Sequence, residues 1–101
     1  MFLISQDRAK ALNMADIKSY FIYKEEGGFP SEEDKEKECL LWANTQWKNH
    51  CANDCDNWCI GIFENFSVAQ KIMDELISIN HTAEGKAVIR DNEVEILYYL
   101  K

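Results

Sequence analysis

Apolar and polar positions alternate over short stretches at both ends of the chain, and a single stretch follows a helical period. Residues 2–5 (FLIS) and 10–14 (KALNM) flank the polar QDRA, which predicts two short strands joined by a tight turn. Residues 16–23 (DIKSYFIY) are rich in aromatic and β-branched side chains and predict a third strand, so that the chain opens as an antiparallel meander. Residues 38–44 (ECLLWAN) fit either the last turns of a helix or a fourth strand, and the strand is favoured. In residues 58–63 (WCIGIF) strict alternation puts Trp58, Ile60 and Ile62 on one face and Cys59, Gly61 and Phe63 on the other. Gly61, lacking a side chain, would let a neighbour approach closely.

The helical stretch is residues 65–80 (NFSVAQKIMDELISIN). Asn65 supplies an N-cap, and Ala69, Ile72, Met73, Leu76 and Ile79 or Asn80 recur at the 3-and-4 spacing of a buried stripe. Beyond Gly85, two alternating runs are separated by Asp91-Asn92, a pair that tolerates the positive φ of a two-residue hairpin turn. Val94, Ile96 and Tyr98 share one face of the last run, with Glu93 and Glu95 on the other. These elements predict a single α+β domain over residues 1–101: an antiparallel sheet of about five to six strands against one principal helix.

The connection over residues 24–38 (KEEGGFPSEEDKEKE) changes the picture. It holds the only Pro, two adjacent glycines, and seven carboxylates against three lysines, a local net charge of −4 out of −7 for the chain. It reads as an acidic loop, or as the start of a second short helix after Ser31, where Asp34 completes a capping-box spacing. With 18 acidic against 11 basic residues, most of the surface would repel nucleic-acid phosphates, so no direct nucleic-acid partner is expected. The N-terminus carries no basic segment or small-residue cleavage site, and no apolar run approaches the roughly 20 residues that span a bilayer. A soluble cytoplasmic protein with no membrane partner is therefore expected.

Residues 50–59 (HCANDCDNWC) place His50 beside Cys51, Cys55 and Cys59, with Cys39 upstream. Zinc would accept four such ligands, but zinc pairs are usually C-x2-C, and here the three thiols recur at four-residue steps. A disulfide, Cys51 to Cys55 or Cys39 to Cys59, runs against a reducing compartment. The favoured reading is packing: Cys39 and Cys59 as small buried groups in neighbouring strands, Cys51 and Cys55 in a polar connection. No metal or cofactor is then expected; were a metal bound, Cys39, Cys51, Cys55 and Cys59 would hold it. No nucleophile motif or phosphate-binding loop points to an enzyme.

SQD after the first strand, LNMADIKSY leading into another, and GIFENFSVAQKIMDEL give the chain a resemblance to small uncharacterised phage and mobile-element proteins of low-GC Gram-positive bacteria. In that group a strand leads through an acidic cap into a helix with Ala near its start. Gly61, Phe63, Asn65, Ala69, Ile72, Met73 and Leu76 fill comparable positions here. The resemblance implies a small α+β fold and a mobile-element origin, brings no catalytic residues, and departs from the pattern over residues 24–57. That segment holds the expected partner-binding residues: Glu25, Glu26, Glu32, Glu33, Asp34 and Glu36 as an anionic patch, with Trp42 and Trp47 as anchors; Trp42, Trp47 and Trp58 read otherwise as core, where tryptophan is usually found. The expected function is a small acidic, non-enzymatic binding factor, such as an inhibitor of a host defence nuclease that occludes a basic surface. The alternatives are a zinc-stabilised module and an intracellular small-ligand binder.

Overall fold

The computed structural model describes residues 1–45 and 56–99. Seven strands and one α-helix form a mixed α+β fold in the order β1 (Phe2–Ile4), β2 (Ala11–Asn13), β3 (Ile17–Lys24), β4 (Cys39–Thr45), β5 (Asp56–Phe63), α1 (Phe66–Ser78), β6 (Gly85–Arg90), β7 (Glu93–Tyr98). The strands divide into two sheets, where the pattern predicted one. A four-stranded sheet runs β2-β1-β6-β7 and a three-stranded sheet β3-β4-β5.

The expected opening meander is corrected at its third strand. β1 and β2 pair antiparallel, but β3 joins β4 in the second sheet. The cause lies in residues 13–16. The Asn13 side chain caps a 3-10 turn at Met14–Asp16 by accepting the Ala15 N–H, Met14 is fully buried, and its N–H donates to the Met1 carbonyl at 3.0 Å. This turn redirects the chain across the core. The first sheet is not wholly antiparallel either, since β1 pairs parallel with β6.

The helix follows its sequence signal. Asn65 Oδ1 accepts the Val68 N–H at 3.0 Å, Ala69, Ile72 and Leu76 are fully buried, and Met73 and Ile79 pack on the same side. Its buried stripe meets Ile22, Leu41, Ala43, Ile60 and Phe63 of the second sheet and Leu3, Ala87 and Ile89 of the first in one core. The hairpin turn at Asp91-Asn92 forms as expected, with Asp91 at φ 50°. Among the described residues no helix is long and apolar enough to cross a membrane.

The alternation predicted for residues 58–63 holds at Trp58 and Ile60 and fails at Ile62. The pairing of β4 with β5 slips between Leu41 and Trp42, so that Gly61 lies opposite Leu41 and Cys59 opposite Trp42, with Ile60 as the extra residue of a β-bulge. Beyond the bulge the phase reverses: Phe63 enters the core and Ile62 points out, 48% exposed. Gly61 makes this possible, because a Cβ there would lie 2.7 Å from the Phe63 ring. The close approach is made by a ring of the same strand, not by the neighbouring element that the glycine leads one to expect.

The two sheets are tied by Gln6. Its side-chain amide donates to the carbonyls of Ile62 (3.0 Å) and Asp91 (2.9 Å), and its oxygen accepts the Ile62 N–H at 2.8 Å. One side chain thus satisfies backbone groups of β5 and of the β6–β7 turn.

Candidate functional site

Successive residues of β4 face opposite sides of the three-stranded sheet. Cys39, Leu41 and Ala43 are fully buried against the core, while Leu40, Trp42 and Asn44 face outward and are half-buried. Strand register extends the outward set into three rows: Tyr23–Leu40–Ile62, Phe21–Trp42–Cys59 and Ser19–Asn44–Asn57. Two rows are apolar. The third is polar, closed by Asn44 Nδ2 donating to Asn57 Oδ1 at 2.7 Å.

The rings on this face are ordered by one another. Phe21 and Trp42 lie parallel, 2° between planes, with centroids 6.3 Å apart, and Tyr23 packs edge-on against Phe29 at 5.1 Å. Phe29 is 71% exposed. None of Phe21, Tyr23, Leu40 or Trp42 belongs to the buried core. The Trp42 indole Nε1–H is covered yet unpaired, whereas that of Trp58, on the inner face, donates to Thr45 Oγ1 at 2.9 Å. The two tryptophans therefore play the two parts the sequence allowed: Trp58 packs against the core, and Trp42 lies on the outer face. Trp47 lies outside the described residues.

The acidic connection borders the Tyr23 row. The chain leaves β3 at Lys24, turns at Gly27–Gly28 and returns through Phe29, with Lys24 N–H donating to Gly28 O at 3.0 Å. Glu25 and Glu26 stand exposed in this turn. The helix expected after Ser31 is a single 3-10 turn, Glu32–Asp34. Asp34 does not belong to the exposed anionic patch expected of it. Its carboxylate is buried, accepts the Ser31 N–H (3.1 Å) and Oγ–H (2.9 Å), and sits between Lys24 Nζ (3.7 Å) and Lys37 Nζ (3.6 Å). The two Ser31 hydrogen bonds and the lysines hold its pKa below the ordinary carboxylate range. Glu32 pairs with Lys35 at 3.0 Å. Glu25, Glu26, Glu33 and Glu36 are exposed and enter no ion pair among the described residues. The three lysines of the segment pair with Asp34 and Glu32, leaving Glu25, Glu26, Glu33 and Glu36 as its exposed carboxylates without an ion pair among the described residues.

The cysteine cluster does not assemble among the described residues. Cys39 and Cys59 are in neighbouring strands, as expected, but on opposite faces of the sheet, so they cannot share a metal or a disulfide, and both thiols are free. Burial raises both thiol pKa values, with Asp34 adding to the effect at Cys39. His50, Cys51 and Cys55 lie outside the described residues, and among those described no group of three or more His, Cys, Asp or Glu side chains is placed to hold a metal ion. Two described clefts have volumes of 90 and 130 Å³, one beside Gln6 and Cys59, the other between β2 and Trp58. Both are smaller than the roughly 300–1,000 Å³ typical of ligand sites.

No family model, curated protein or solved structure matches the chain. The outer face itself was only partly readable beforehand. Trp42 was singled out as an anchor, but Phe21, Tyr23, Phe29, Leu40 and Ile62 were not. The available signal was residues 20–23 (YFIY), where consecutive apolar side chains make both faces of a strand apolar.

Proposed function

We propose that this protein is a non-enzymatic binding factor. It docks the outer face of β3-β4-β5 and the adjoining carboxylates onto a protein surface that is both basic and apolar. The observation that carries this reading is the juxtaposition of two apolar rows, one holding the stacked Phe21–Trp42 pair, with exposed Glu25 and Glu26 at one end. Aromatic side chains dominate interface energetics, while rim carboxylates steer encounter with a positive surface. The small clefts favour surface recognition over the small-ligand alternative. The resemblance to mobile-element proteins makes a host protein the natural partner, with occlusion of a basic groove on a defence nuclease as one mode of action.

The test is affinity capture from host lysate at about 50 and 500 mM salt, using the unmodified chain and two variants scored beside their melting curves. Glu25→Lys/Glu26→Lys should weaken capture at low salt, and Phe29→Ala/Ile62→Ser should weaken it at both. Each should leave the melting midpoint within a few degrees. A partner retained equally by both variants defeats the docking reading. Stoichiometric zinc surviving dialysis, with chelation melting the domain, would support the zinc-stabilised alternative instead.

A further inference from the structure

We infer that β7 is a self-association edge, on which a second copy of the chain adds its own β7 antiparallel across a two-fold axis. This surface is separate from the outer face of β3-β4-β5 and does not depend on the function proposed for it. β7 is the outermost strand of the four-stranded sheet. The Tyr99 N–H donates to the Glu84 carbonyl at 3.1 Å, and the register pairs Gly85 with Tyr98 through to Arg90 with Glu93. Hydrogen-bonded pairs alternate in an antiparallel ladder, so residues 93, 95, 97 and 99 bond to β6, and the N–H and C=O groups of Val94, Ile96 and Tyr98 point away from it. An edge of this kind is normally blunted by a bulge, a proline or inward charges. This register has no bulge and the strand has no proline, while its side chains stay apolar where they should be covered: Ile96 and Tyr98, on the core-facing side, are 38% and 60% exposed.

The sequence of β7 selects one register. Centred on Ile96, the outward groups of Val94, Ile96 and Tyr98 meet those of Tyr98, Ile96 and Val94 of the second copy, which completes every outward pair within the strand. On the core-facing side Val94, Ile96 and Tyr98 of both copies form one apolar row. On the other side Glu95 lies opposite Leu97 and Glu93 opposite Tyr99, with no like charges opposed. Centred on Glu95, Tyr98 would fall opposite Asn92 and lose its partner within the strand. Centred on Leu97, Val94 would lose its partner within the strand. The Glu95 carboxylate, held by Arg90 of β6 at 2.9 Å, brings no unpaired charge to the seam. The exposed side-chain surface, a few hundred Å² per copy, falls at the small end of specific interfaces. An area of this size fits a weak, concentration-dependent association.

Sedimentation and amide hydrogen exchange on the unmodified chain, from about 1 μM to 1 mM, test this. The expected result is a monomer–dimer equilibrium in which the amides of Val94, Ile96 and Tyr98 gain protection as concentration rises, while those of Glu95 and Leu97 are protected throughout. A monomer over the whole range, or a dimer whose Val94, Ile96 and Tyr98 amides stay unprotected, overturns the inference. Tyr98→Lys should weaken dimerisation at least about tenfold with an unchanged melting midpoint. Undiminished dimerisation of that variant also overturns it, and should the variant fail to fold, the exchange pattern of the unmodified chain decides.

Discussion

Leu40 and Leu41 are chain neighbours on β4, yet they belong to different environments. Leu41 is fully buried among Ile22, Ile60 and the helix, whereas Leu40 stands half-buried between Tyr23 and Ile62 on the opposite face. The inner face is filled and closed by α1; the outer face carries a comparable density of apolar side chains but lies outside the buried core. Since a sheet needs one covered face to be stable, the second apolar face is surplus to folding. Large contiguous exposed apolar patches mark interaction sites. That difference gives the inner face to stability and motivates the proposal that the outer face serves recognition.

The comparison breaks most readily at its strongest point. Leu41→Ala should cost about 2–5 kcal/mol, as should Leu76→Ala on the facing helix stripe. Leu40→Ala should cost about 1 kcal/mol or less, and Lys71→Ala, on the exposed side of α1, less than about 0.5 kcal/mol. Denaturant melts of the four variants measure this, and equal costs at Leu40 and Leu41 would mean that the outer face is covered after all.

Tyr20 sharpens the inner side. Its side chain faces Ala43 across the register, its hydroxyl is buried without a partner, and burial raises its pKa to about 12. Tyr20→Phe removes the unpaired hydroxyl and should stabilise the protein by about 1 kcal/mol. The folded-state pKa lies above the unfolded value of 10.0, so this group's contribution is intact below pH 10.0 and lost as pH rises through about 12. Tyr20→Phe should flatten that alkaline loss, and an unchanged alkaline melting profile would contradict the burial of the ring.

Acid titration separates the buried and exposed carboxylates beside the outer face. The lowered pKa of Asp34 gives a contribution present above the ordinary value of 3.8 and lost as pH falls through its folded-state pKa. Asp7 behaves likewise, held to about 2 chiefly by the Ser5 hydroxyl and then by the Ala9 N–H. Asp34→Asn should lower the melting temperature at neutral pH and make its decline below pH 3.8 shallower, whereas Glu33→Gln, at an exposed position, should change the neutral-pH melting temperature little. The smallest effect belongs to Phe29, whose replacement by Ala should change stability by no more than about 0.5 kcal/mol. A large loss there would move Phe29 from the recognition face to the fold.

Which elements were readable depended on the range of the forces behind them. The helix was legible because Asn65 and the stripe from Ala69 to Leu76 act within a few turns, and the β6–β7 turn because Asp91-Asn92 is a local turn signal, realised with Asp91 at positive φ. Asp34 was legible as a capping residue but not as a buried one, since the lysines that enclose it arrive from β3 and from beyond the 3-10 turn. The cysteines looked clustered along the chain, but Cys39 and Cys59 fall on opposite faces because the bulge at Ile60 resets the phase of β5 only after Cys59.

The sequence by itself determined the α+β class, the helix and its buried stripe, the acidic character of residues 24–38 and the local turns, all of which follow from propensity and period over short windows; β4, which the same windows leave open between helix and strand, became a strand through its pairing with β3 and β5. The tertiary structure decided the division into two sheets, the parallel pairing of β1 with β6, the bulge that sends Phe63 inward, and which side of β3 and β4 stays open. These are outcomes of pairing between distant segments. A strand apolar on both sides, such as residues 20–23, carries no local signal of which face the helix will cover. That choice is made only when α1, arriving more than forty residues later, closes the core over Ile22 and Leu41.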